Sequence, residues 1–93
     1  MSHKHQNLLR TIFQDPISNN IHWREVESLL SHLGAVIESH AGARVHVVLN
    51  GREGTLHRPH QSNVLDRQGV RHLREFLARS GVTPSRYEAD SKT

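Results

Sequence analysis

Arg44-Val45-His46-Val47-Val48-Leu49-Asn50-Gly51-Arg52-Glu53-Gly54-Thr55-Leu56-His57 decides the fold. Its first part alternates apolar and polar residues with period two, the signature of a strand with one buried face. Asn50-Gly51 is the strongest short hairpin signal, because a type I′ turn needs positive φ at both central residues. A two-residue turn fixes the register. Leu49 then opposes Arg52, Val48 opposes Glu53, Val47 opposes Gly54, His46 opposes Thr55, Val45 opposes Leu56, and Arg44 opposes His57. One face of the hairpin collects Val45, Val47, Leu49 and Leu56. The other collects Arg44, His46, Thr55 and His57, with Val48 and Glu53 nearer the turn.

The flanking segments supply what such a hairpin packs against. Trp23, Val26, Leu29, Leu30 and Leu33 form a helical stripe over Trp23 to Leu33, and Gly34 follows as a left-handed cap. Ala35 to Glu38 is short and β-prone and leads into a Ser39-His40-Ala41-Gly42 loop. Asp66 caps a last helix running to about Arg79, with Val70, Leu73, Phe76 and Leu77 as its stripe. Gly81 ends it, Val82 makes a hydrophobic contact after the cap, and Pro84 prevents continuation. Arg67, Arg71 and Arg74 form a basic ridge on this helix, either phosphate contacts or a plain solvated face. Leu8, Leu9, Ile12 and Phe13 mark an earlier short helix from Lys4 to Phe13, stopped at Asp15-Pro16.

The expected class is α+β. A three-stranded antiparallel sheet carries its helices on one face, in the order α-α-β-β-β-α. Residues 1–20 form a helical extension, 21–83 the domain, and 84–93 a frayed tail.

With 93 residues the chain makes one domain at most. It has no cysteine, which excludes disulfides and thiolate metal sites and fits a reducing cytoplasm. No apolar run approaches the ~20 residues of a membrane span, and the first residues lack the apolar stretch of a signal peptide. The net charge is +3 with histidine neutral, and most basic residues are arginine, which grips phosphate through a planar fork. A small arginine-rich domain points to nucleic acid or to an acidic protein partner. His3 and His5 fall in a terminal segment and carry no reading of their own.

From Trp23 to Val82 the chain resembles the HicA toxins of bacterial toxin–antitoxin systems. Val26-Glu27-Ser28-Leu29-Leu30 through Leu33-Gly34 follows that family's first helix. Gly42-Ala43-Arg44 stands where the family has a Gly-Ser-His loop, and Pro59-His60 stands at its Pro-His strand end. Leu73-Arg74-Glu75-Phe76-Leu77-Ala78-Arg79-Ser80-Gly81-Val82 follows its C-terminal pattern. The resemblance implies a fold similar to a double-stranded-RNA-binding domain. It also implies an mRNA-cleaving toxin neutralised by a HicB-type antitoxin, with the loop histidine as catalytic group. Here Arg44 occupies that position, and the nearest histidine is His46, on the same strand face.

Metal-independent RNA cleavage needs a base near the 2′-hydroxyl, an acid near the leaving 5′-oxygen, and positive charge at the phosphate. Histidine serves both proton transfers, since its ordinary pKa is about 6.5. His46 and His57 are the candidate catalytic groups; Arg44, Arg52, Thr55, Arg58 and His60 are the candidate RNA-binding groups. Solvated histidines and arginines with no role beyond solubility are the competing reading. A metal at His57-x-x-His60 with His46 or His40 is set aside, because Pro59 breaks the strand and no acidic or thiol ligand is nearby. No cofactor, metal or membrane partner is expected. The rival functions are a catalytically inactive RNA- or antitoxin-binding module of this fold, and an interaction domain whose hairpin edge pairs with an acidic partner.

Overall fold

Asn50 and Gly51 adopt φ of 53° and 78°, the left-handed pair that a type I′ turn requires. They join β2 (Arg44–Leu49) to β3 (Arg52–His57), and every pair from Arg44↔His57 to Leu49↔Arg52 has the register expected from the turn. The structure is a computed structural model, and it describes residues 4–40, 42–59 and 63–85. The other elements are α1 (Lys4–Phe13), α2 (Trp23–His32), β1 (Val36–Ser39) and α3 (Arg67–Arg79). The sheet is antiparallel in the order β1-β2-β3. The fold is thus α+β with element order α-α-β-β-β-α, as expected.

Both ends of β1 move by one residue, and the shift of its start has a local reason. β1 starts at Val36, one residue after the expected Ala35, and ends at Ser39. Ala35 N–H donates to Leu30 O at 2.9 Å and Gly34 N–H to Ser31 O at 3.1 Å. These are the two bonds of a Schellman cap, so Ala35 finishes the helix and Leu33 becomes its cap residue. The same motif ends α3, where Val82 N–H donates to Leu77 O and Gly81 N–H to Ala78 O. Val82 is then buried, as its place after the cap leads one to expect. At the other end of α3, Asp66 Oδ1 accepts from Gly69 N–H at 2.7 Å.

The helices cover one face of the sheet. Val45, Val47, Leu49 and Leu56 are buried in a single core with the apolar stripes of α1, α2 and α3. On the opposite face Val36 stays 56% exposed. Gly54 sets the separation between β3 and α3. A Cβ there would lie 2.5 Å from Phe76 Cδ1, so only a residue without one admits the ring. Trp23 N–H donates to Asn63 O at 2.6 Å and Leu65 N–H to Ile21 O at 2.8 Å, which stitches the approach to α3 beside the start of α2.

α1 belongs to the same core through Leu8, Leu9 and Ile12. Arg74 anchors it. Arg74 Nε donates to Ile12 O at 3.1 Å and Nη2 to Gln14 O at 2.9 Å, and the guanidinium lies 6.0 Å from the centre of the Phe13 ring. The carbonyls at the end of a helix have no partners within it and carry partial negative charge, so an arginine is well placed there. The basic ridge is therefore divided. Arg67 and Arg71 are exposed on α3, while Arg74 is half-buried and fastens α1.

His5, given no role from sequence, docks α1 on α2. Its Nε2 lies 2.9 Å from Ser28 Oγ, and its ring stacks on His32 with centroids 4.5 Å apart. Burial first, and then the charges of His32 and Lys4, hold its pKa below the usual 6.5.

Two outcomes test this docking. Arg74→Met should lower the unfolding free energy by about 2 kcal/mol, the scale of hydrogen bonds from a charged donor. Arg71→Met should stay within about 0.5 kcal/mol, and urea melts of the two variants make the comparison. Because the folded state lowers the His5 pKa, the unfolded chain binds more protons near and below pH 6.5. The His5 contribution is therefore present above that pH and lost as pH falls through it. Thermal melts at pH 7.5 and 5.5 should show a smaller drop on acidification for His5→Gln than for the parent chain.

Candidate nucleic-acid interface

The uncovered face of the sheet is where the polar residues of the hairpin gather. Because directly opposed residues in an antiparallel ladder point to the same side, the register reads as rows across the strands. Glu38, His46 and Thr55 are successive partners from β1 to β3. His40 N–H donates to Arg44 O at 2.9 Å, continuing the ladder, and Arg44 pairs with His57. Val36, Val48 and Glu53 form the row nearer the hairpin turn.

His40, Arg44, His46 and Thr55 line one shallow depression. The His40 and His46 rings meet edge-on, with centroids 5.9 Å apart and planes at 71°. His46 Nε2 is 3.3 Å from Glu53 Oε1, and His40 Nε2 is 3.9 Å from Glu38 Oε2. His46 is the most enclosed of these groups, its side chain 31% exposed against 71% for Glu53. A histidine held beside a carboxylate and next to an arginine has a proton partner on one side and an anion-binding group on the other.

The other candidate residues lie elsewhere. His57 shares Arg44's row, but it borders a separate cleft between the end of β3 and α3, lined also by Arg58, Asp66, Gly69 and His72. Arg58 follows Leu56 in the alternation, on the helix side of the sheet, and its Nη2 donates to Ser39 Oγ at 2.9 Å. Its backbone N–H extends the ladder to Ala43 O at 2.8 Å. Arg52 pairs with Leu49 beside the turn and is exposed at the hairpin tip, at the far end of the strands from Arg44. His60 lies outside the described residues.

Kinship bears on this geometry. Residues 23–82 match the family described as the HicA toxin of bacterial toxin–antitoxin systems. The chain belongs to the HicA toxin family. Comparison with curated proteins and with solved structures gives no match. The HicA match begins on the first residue of α2 and ends on Val82 after α3, so it covers α2-β1-β2-β3-α3 and leaves α1 ahead of it. By membership this HicA chain is the toxin-type module of a toxin–antitoxin system. Among the described residues no helix is long and apolar enough to cross a membrane.

Glu38 joins the candidate group only in the structure, and His40, weighed from sequence only as a metal partner of His57-x-x-His60, is placed there beside it. Alternation along Val36 to His40 marks them as sharing a side. Which β2 residues they meet depends on the Ser39↔Val45 register, and that is set by a loop longer than two residues, with Gly42 at φ 74°. Glu38 is the acidic neighbour of His46 and His40 that the sequence alone does not reveal.

Proposed function

We propose that the chain is a HicA-type endoribonuclease toxin acting on mRNA in the cytoplasm and neutralised by a HicB-type antitoxin. The observation that carries this reading is the gathering of Arg44, His46 and Thr55 in one depression on the helix-free face, within the region matched to the family. Arg44 binds the scissile phosphate and offsets the charge that builds on it during attack. His46 removes the proton from the 2′-hydroxyl, whose oxygen then attacks phosphorus. His57 delivers a proton to the departing 5′-oxygen, so the chain breaks to a 2′,3′-cyclic phosphate and a 5′-hydroxyl with no metal in the step. Thr55 offers a hydroxyl to the backbone. Arg58 at the helix-side edge of the sheet and Arg52 at the hairpin tip add positive charge around the depression, with His60 as a further contact.

A second reading is supported by Arg44 itself. It occupies the position where the resemblance places the catalytic loop histidine. An arginine binds phosphate but does not exchange protons near neutral pH. On that reading the chain is an inactive module that binds RNA or the antitoxin.

Purified chain incubated with mRNA in EDTA distinguishes them. Cleavage is expected, with His46→Ala and His57→Ala each lowering the rate by about 10²–10⁴-fold, the usual worth of a positioned acid or base. Arg44→Ala should weaken RNA binding and reduce the slope of affinity against salt by about one. Salt-dependent RNA binding without cleavage would select the inactive module. Cleavage that survives both histidine substitutions would refute the catalytic assignment.

A further inference from the structure

We propose that Glu38, His40 and His46 form a binding site for a divalent transition-metal ion of the zinc class. His40 directly follows β1, and Glu38, two residues earlier, shares its side of the strand. His46 is the cross-strand partner of Glu38. Two positions on one strand and a third beside them on the next make a three-pronged set. One ligating atom from each of the three lies within 4.8 Å of the others.

These separations are close to what the ion requires. Tetrahedral zinc with bonds of about 2.0–2.2 Å holds its ligands about 3.3–3.6 Å apart. The Glu38 carboxylate is already 3.9 Å from His40 Nε2, and both side chains are more than half exposed, so a small rotation closes the set. Two imidazoles and one carboxylate suit zinc, whereas magnesium and calcium favour oxygen donors throughout. Glu53 Oε1, 3.3 Å from His46 Nε2, places a second carboxylate beside the site. The two carboxylates outweigh the single positive charge of Arg44, which lines the same depression.

One consequence rests on the function proposed above. An imidazole nitrogen bound to zinc has no lone pair left for a proton. An ion gripped by Glu38 and His40 withdraws His46 from catalysis, so zinc inhibits cleavage without touching the RNA.

Zinc titrated into the full chain, followed by calorimetry and by the ring-nitrogen resonances of the histidines, tests the site. Binding should shift the His40 and His46 signals. Glu38→Gln and His40→Gln should each weaken it by about tenfold or more, since even changes behind a metal ligand cost that much. Circular dichroism checks that both variants are folded. Affinity unchanged in both variants, or shifts confined to other histidines, overturns the site. In the RNA assay zinc should suppress cleavage by the parent chain, and either substitution should raise the zinc concentration needed for that suppression by about tenfold or more. Zinc bound at these residues in a chain that cleaves no RNA would sink the nuclease reading and uphold the site.

Discussion

The left-handed pair Asn50-Gly51 is the constraint on which the rest of the molecule depends. A two-residue turn leaves one way to pair β2 with β3. A slip of one residue would send Val45, Val47 and Leu49 to solvent and press Arg44 and His46 into the apolar core. The same register brings Gly54 under Phe76, so the one position that must lack a side chain is where α3 comes closest. Asn50 works twice. Besides turning the chain, its Nδ2 donates to Ser80 O at 2.8 Å, tying the hairpin tip to the cap of α3. Sheet and helix are thereby fixed to each other at the turn.

The fold asks little of the opposite face. Its side chains are exposed or half-exposed, and the core is complete without them. Arg44, His46, Thr55, Glu38 and His40 are held in place by backbone pairing rather than by packing. Their spacing is therefore fixed by the sheet, while their identities are free to serve chemistry. The scaffold is therefore independent of which side chains the open face carries.

Most of the scaffold was legible in the residues because its signals are local. Period-two alternation, the Asn-Gly turn, the Asp66 cap and the Gly34 and Gly81 terminators each act within a few residues, and each was found where expected. What was not legible depends on long-range geometry. The β1–β2 register is set by an irregular loop, so Glu38 could not be placed beside His46. Arg74 has the same spacing as a solvated ridge residue, and only the docking of α1 converts it into an anchor. Arg58 is a candidate RNA-binding group by sequence, but strand alternation turns it to the helix side, where it donates to Ser39 Oγ. His5 had no reading of its own within the expected first helix, and only the docking of α1 on α2 makes it a stacking partner for His32.

The anchoring of α1 has a consequence for the order in which the molecule is assembled. Arg74 lies 62 residues after Ile12, whose carbonyl it binds, and α3 is synthesised after the other described elements. As the chain leaves the ribosome, α1 emerges well before α3, which alone completes the clamp at its end. Until then part of the cover for Leu8, Leu9 and Ile12 is missing. The hairpin, with its two-residue loop, is by contrast complete as soon as β3 has emerged. The proposed RNA face can thus be built before α1, synthesised ahead of it, is locked down.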